Sequence, residues 1–60
     1  MYVIVIEDLN TNDTYTYQQD GRIVQFGNEM EAVSAKWEML DNKAYSDKRL
    51  SVEYKRGRGK

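Results

Sequence analysis

The 60-residue chain contains no cysteine, no histidine and no proline. Without cysteine it can form neither a disulfide framework nor a thiolate nucleophile. Without histidine it also lacks the commonest general acid–base side chain and the usual nitrogen ligand of zinc. Its serines have no imidazole to activate them for nucleophilic attack. We therefore expect a protein that is not an enzyme and that holds no cofactor and no metal.

Long apolar runs are also missing. The longest run, from Met1 to Ile6, is far shorter than the roughly 20 residues that cross a bilayer. No basic residues precede it, as they would in a secretory signal peptide. The sequence therefore predicts a cytoplasmic protein that does not associate with a membrane.

The small size of the chain limits its hydrophobic core. A 60-residue domain buries only about 60% of the surface that its unfolded chain exposes, so its stability is marginal. No disulfide or metal can add to that stability. Either the core is well packed, or a second copy of the chain, as in a homodimer, or another protein contributes buried area.

Charge is distributed unevenly along the chain. Residues 1–47 carry three basic and nine acidic side chains, whereas residues 48–60 carry six basic side chains and one acidic side chain. The formal net charge of -1 therefore hides an acidic body and a basic end.

Local patterns predict five regular elements. The first segment is apolar at every position, which indicates a central strand, and an Asn- and Asp-rich turn follows it. Asp20-Gly21 is a hairpin signal, and Asn28 with Glu31 forms a capping box before a helix. We predict strands at residues 2–6, 14–17, 22–26 and 50–54, and a helix that begins at Glu29 and ends between Leu40 and Ala44.

These elements predict an α+β fold of the order β-β-β-α-β. We expect a four-stranded, mostly antiparallel sheet in the spatial order 3-2-1-4, with one amphipathic helix packed on one face. Counting chain reversals makes the fourth strand parallel to the first, with the helix as the crossover. Residues 1–54 are expected to form a single domain, and residues 55–60 a flexible basic tail.

An apolar stripe runs along the predicted helix at spacings of three and four residues, which is typical of a buried helix face. We expect this stripe to pack on the sheet with Trp37 at the centre of the core, and Phe26 to be buried as well. The stripe consists of Met30, Val33, Trp37, Leu40 and Ala44.

The first strand has more apolar surface than one helix can cover. Its two rows, Val3/Val5 and Ile4/Ile6, point to opposite faces of the sheet. One row is therefore expected to stay exposed as a surface for a partner.

Aromatic and basic side chains are the candidate contacts with a protein partner. Tyr15 and Tyr17 share one face of the second strand and Tyr54 ends the fourth, and tyrosine commonly anchors protein interfaces. Arg56 and Arg58 follow Tyr54 and are candidates for charge pairing. We predict that these five residues bind a protein.

Nucleic-acid binding is the alternative hypothesis. A basic end that contains glycines between arginines can contact phosphates without reading base sequence. The acidic body argues against a broad phosphate-binding face, so this partner is the less favoured one. The candidate residues are Lys48, Arg49, Lys55, Arg56, Arg58 and Lys60.

The turn after the first strand begins like a calcium loop, with Asp8, Asn10 and Asn12 at alternate positions. The sixth position, however, is Asp13 rather than glycine, and the twelfth is Gln19 rather than glutamate. We therefore interpret the segment as a hairpin loop.

In general character the chain resembles the short orphan proteins of bacteriophages. The resemblance lies in a compact single domain without cysteine or histidine, many tyrosines, a mixed β/α order and a charged end, and it includes no specific motif. It implies a small non-catalytic protein that binds and modulates or inhibits a larger host protein or defence enzyme in the host cytoplasm.

Overall fold

The computed structural model describes residues 1–56, which form a small α+β fold. Within these residues a three-stranded antiparallel sheet has the order β2-β1-β5, and β3 and β4 form a separate two-stranded hairpin. The predicted α+β class with one helix is confirmed, whereas the strand count and order differ from the prediction. The elements are β1 (Tyr2–Asp8), β2 (Thr14–Thr16), β3 (Gln18–Gln19), β4 (Arg22–Ile23), α1 (Glu29–Leu40), a short 3-10 helix (Lys43–Tyr45) and β5 (Lys48–Tyr54).

Strand β1 lies at the centre of the three-stranded sheet, as its continuous apolar sequence predicts. Its register with β5 extends from Tyr2 opposite Tyr54 to Asp8 opposite Lys48. The rings of Tyr2 and Tyr54 meet edge to face, with centroids 5.1 Å apart. β1 therefore carries the longest ladder of the fold.

The predicted third strand, residues 22–26, does not form as a single strand. Asp20 and Gly21 both have positive φ, 54° and 78°, which is the backbone of a tight hairpin turn. The short β3–β4 hairpin closes where the Val24 N–H donates to the Tyr17 carbonyl at 3.1 Å. The hairpin signal was thus correct, but its second strand ends at Ile23.

After the hairpin the chain returns to the central strand. Phe26 exchanges two backbone hydrogen bonds with Tyr2, at 2.8 and 2.9 Å, and runs antiparallel to β1. Phe26 therefore runs in the same direction as β2. The β3–β4 hairpin is an insertion between β2 and Phe26. The chain therefore enters the helix from a segment antiparallel to β1, whereas the sequence suggested a segment parallel to it. For this reason β5 returns antiparallel to β1, and the predicted parallel pairing is wrong.

The helix begins and ends where the sequence predicts. The Asn28 side chain accepts a hydrogen bond from the Glu31 N–H at 2.9 Å, and α1 ends at Leu40 with Asp41 as the C-cap. Glu29 and Glu31 in the first turn are favourable for the helix dipole.

The helix face that packs on the sheet is not the predicted one. Ala32 and Met39 are buried and Ala35 packs against the core, whereas Trp37 is 61% exposed and Met30 is 74% exposed. The small alanine side chains allow α1 to approach the sheet closely, and Met39 fills the remaining space. The prediction that Trp37 is the centre of the core is therefore wrong.

The core lies between α1 and one face of the three-stranded sheet. Ile4 and Ile6 of β1 contribute the most deeply buried large side chains. The core consists of Ile4, Ile6, Met39 and Leu50, with Tyr17, Phe26, Ala35, Tyr45 and Val52 packed against it.

The opposite face of the sheet is largely polar. Val3 is only 2% exposed and Val5 is half-buried, and the β5 residues opposite them are Glu53 and Ser51. The expectation that one of the two apolar rows of β1 stays exposed for a partner is therefore wrong. Surplus apolar surface lies on the helix instead.

Two substitutions on α1 test which of its faces supports the fold. We expect Met39→Ala to lower the free energy of unfolding by about 2 to 3 kcal/mol, because it leaves a cavity in the core. We expect Trp37→Ala to change it by less than about 0.5 kcal/mol, because the indole is mostly in water. Urea unfolding followed by far-UV circular dichroism at low micromolar concentration measures both. A larger loss from Trp37→Ala than from Met39→Ala would contradict this packing.

Candidate protein-binding surface

The outer flank of α1, defined as Met30, Val33, Trp37 and Leu40, is an exposed apolar strip. Met30, Trp37 and Leu40 are exposed, and Val33 is half-buried. Their spacing of three, four and three residues places them along one side of the helix. A strip of this kind on a 60-residue protein is a candidate contact with another polypeptide.

The outer flank lies on the side of α1 nearest β5. The opposite side of the helix borders an open groove of about 480 Å3, where Glu38 and Met39 approach Tyr17 and Phe26. Counting about 100° per residue, Val33 and Leu40 point roughly a quarter-turn the other way from the buried face. Val33 and Leu40 therefore lie on the side of α1 that faces β5, the outermost strand of the sheet there, whereas Trp37 and Met30 lie further round the helix, towards solvent.

Lys36 covers part of this flank. Its Nζ lies 5.4 Å from the centroid of the Trp37 ring, within the range of a cation–π contact. Lys36 as a whole is half-buried. A partner that covers Trp37 must therefore accommodate or displace one positive charge.

β5 presents an unpaired edge next to the outer flank. Lys55 and Met1 exchange hydrogen bonds of 2.7 and 3.2 Å, so the odd-numbered residues of β5 bond to β1. The N–H and C=O groups of the even-numbered residues therefore point away from β1. Within residues 1–56 no hydrogen bond reaches these outward groups, which belong to Lys48, Leu50, Val52 and Tyr54.

An ion pair anchors the start of β5. Lys48 Nζ donates to Asp47 Oδ1 at 2.7 Å and lies 3.6 Å from Asp8 Oδ2. The hydrogen bond from Lys48 lowers the pKa of Asp47, and the same bond raises the pKa of Lys48. Asn10 Nδ2 adds a second donor to Asp47 at 2.6 Å. The cluster ties the first turn to β5.

The residues predicted to bind a protein do not all lie together. Tyr15 and Tyr17 line an open groove of about 350 Å3 that also includes Tyr45, on the β2 side of the molecule. Tyr15 is exposed, whereas the hydroxyl of half-buried Tyr17 accepts a hydrogen bond from Gln19 Nε2 at 2.7 Å. Tyr54 is 61% exposed on β5, at the other edge of the sheet.

The basic residues predicted to bind nucleic acid are split between the two ends of β5. Lys48 and Arg49 begin the strand and Lys55 follows its end, roughly 20 Å away at the usual rise per residue. Lys48 is engaged by two carboxylates. Exposed Arg56 continues from Lys55. Arg58 and Lys60, with most of the predicted tail, lie outside the described residues, so nucleic-acid binding stays a prediction.

The segment that resembles the start of a calcium loop forms a tight hairpin loop, as predicted. Asp8 Oδ1 accepts the Asn10 N–H at 2.9 Å, and Asn12 has a positive φ of 65°. Among residues 1–56, no three histidine, cysteine, aspartate or glutamate side chains are grouped so that they could hold a metal ion. In the same range, no helix has the length and apolarity that a membrane crossing requires.

The outer flank of α1 is the part of the surface that the sequence prediction missed, because the spacing of its apolar residues also suits a core-facing stripe. A second helical pattern was present in the sequence: Ala32, Ala35 and Met39 follow the same three- and four-residue spacing. The 12-residue helix α1 has two apolar sides, and a single sheet can cover only one of them. The presence of two apolar patterns on one helix is the sequence signal that could have identified Trp37 as exposed.

Comparison with other proteins adds no relative. No family model, no curated protein and no solved structure matches the chain. The predicted resemblance to bacteriophage proteins therefore remains untested.

The ion pair at the start of β5 predicts a pH dependence. Because the pKa of Asp47 is lowered in the folded chain, its ionised carboxylate stabilises the fold at pH values above the ordinary pKa of 3.8. This contribution is lost as the pH falls through the lowered pKa. We expect Asp47→Asn to melt below the wild type at pH 7, and the difference between the two melting temperatures to shrink as the pH falls below 3.8. Calorimetry across this range measures the effect.

Asp20→Asn is the matched control, because it removes the same charge from a turn with no ion pair among the described residues. It should not reproduce this convergence. A melting-temperature difference for Asp47→Asn that persists at pH 2 would contradict the assignment.

Proposed function

We propose that the chain is a non-catalytic protein-binding module that docks onto another polypeptide through the outer flank of α1 and the neighbouring edge of β5. The observation that carries the proposal is the exposure of Trp37, 61%, beside Met30, 74%. Tryptophan is among the residues most enriched at the energetic centres of protein interfaces. Large apolar side chains left in water along one side of a helix are costly unless a partner covers them.

The β5 edge supports the same function. An edge strand with outward N–H and C=O groups can accept a further strand, which gives affinity through main-chain hydrogen bonds. Side chains on the strand then supply specificity. Lys48, Glu53 and Lys55 give this edge a charge pattern that favours only complementary partners.

Modulation or inhibition of a larger protein remains part of the proposal from the sequence. The β2 side of the molecule, with Tyr15 exposed beside the tyrosine-lined groove, is separate from the outer flank of α1. A larger protein can therefore contact Tyr15 while the outer flank is occupied. No catalytic step is assigned to the chain.

Site-specific photo-crosslinking tests the proposal. A photoreactive phenylalanine analogue at position 37 or 30 should form covalent adducts in a lysate of the cell that naturally makes the chain, because a partner buries this flank. The matched control places the same analogue at exposed Thr14, which pairs with Glu7 on β1, at a distance from the flank.

Mass spectrometry of the adducts identifies what is attached at each position. Protein adducts at position 37 that exceed those at position 14 support docking through the flank, whatever the partner. Equal or absent adducts at both positions would contradict the proposed function.

A further inference from the structure

We infer that a second copy of this chain occupies the surface, paired antiparallel with the first along β5. The two three-stranded sheets then merge into one continuous sheet around a two-fold axis. The inference rests on the proposed function, because it names the partner of the same surface.

The hydrogen-bond pattern of β5 restricts how two copies can pair. Residues directly opposite each other in an antiparallel ladder exchange both hydrogen bonds or none. Outward groups belong to the even-numbered residues, so these must face one another across the new ladder. A two-fold axis at Ser51 places Leu50 opposite Val52 and Lys48 opposite Tyr54 of the second copy, and every outward N–H of the strand gains an acceptor.

Charge complementarity selects this register. With the axis at Ser51, Glu53 faces Arg49 of the second copy, and Lys55 faces Asp47. The two-fold axis repeats each contact, so opposite charges meet at four places. Cross-strand pairs of opposite charge stabilise a ladder, and like charges directly opposite destabilise it.

Neighbouring registers lack this complementarity. Moving the axis to Leu50 places Glu53 opposite Asp47, which brings two carboxylates together. Moving it to Val52 places Arg49 opposite Lys55. The strand is therefore self-complementary in one register and repulsive in the adjacent ones, which favours a closed dimer over open-ended association.

The helices support the same arrangement independently. A two-fold axis normal to the merged sheet keeps both copies of α1 on one face, antiparallel, with their outer flanks towards each other. α1 packs over β1 and β5, and strands are about 4.8 Å apart, so the two helix axes would lie about 10 Å apart. This is the normal spacing of packed helices; it brings the Val33 and Leu40 sides of the two copies together and covers part of Trp37.

Concentration dependence is the first test. Analytical ultracentrifugation of the full chain from about 1 µM to about 1 mM should show a monomer converting to a dimer. Trp37, the only tryptophan, should shift its emission to shorter wavelength over the same range, because dimerisation removes part of its ring from water. A wild-type chain that stays monomeric at about 1 mM would overturn the inference.

Charge exchange tests the register. Arg49→Glu and Glu53→Arg should each weaken the dimer about 10- to 100-fold, because each places like charges opposite one another twice. An equimolar mixture of the two variants should form a heterodimer of near wild-type affinity, since every charge pair between the two chains is then attractive again. A strand is too extended for Arg49 and Glu53 of one chain to meet, so this rescue requires pairing between chains.

Glu38→Lys, on the groove side of α1, is the control and should leave the dimer unchanged. Circular dichroism of each variant establishes that it is folded. A mixture that remains as weakly associated as its components would overturn the proposed register. A monomeric chain that nevertheless crosslinks to another protein from position 37 would overturn the second copy as partner and leave the proposed function standing.

Discussion

The antiparallel ladder between β1 and β5 is the interaction on which the rest of the structure depends. It joins the apolar first strand to the charged last strand over seven residue pairs and creates the surface on which α1 packs. The alternation of its hydrogen bonds also determines which backbone groups of β5 point outward. The free edge is therefore a direct consequence of the pairing that builds the core.

Signals confined to a few neighbouring residues predicted their elements well. Asn28 caps the helix, Asp20-Gly21 turns the hairpin, and the alternation from Leu50 to Tyr54 forms a strand. Each depends on backbone geometry that one or two side chains control. The direction of β5 could not be predicted in this way, because it depends on Phe26 rejoining β1 after the hairpin, a contact between distant parts of the chain.

The candidate site was predicted only in part. Exposed Tyr15 and Tyr54 were identified from the sequence, whereas Trp37 was assigned to the core. Periodicity shows that a helix has an apolar side but does not decide which of two such sides a sheet covers. Here the side with small residues is covered, because alanines permit close packing. The larger side chains remain exposed, where a partner can reach them. The choice of the alanine side for packing therefore connects the fold to the proposed function.

Amide hydrogen exchange along β5 tests the central claim most directly, because it reports each N–H of the ladder separately. In dilute solution, where the chain is monomeric, the amides of Arg49, Ser51 and Glu53 should exchange slowly and those of Leu50, Val52 and Tyr54 rapidly. At millimolar concentration the second set should become protected as well. Protection of Leu50, Val52 and Tyr54 in dilute solution would contradict a free β5 edge and with it the surface described above.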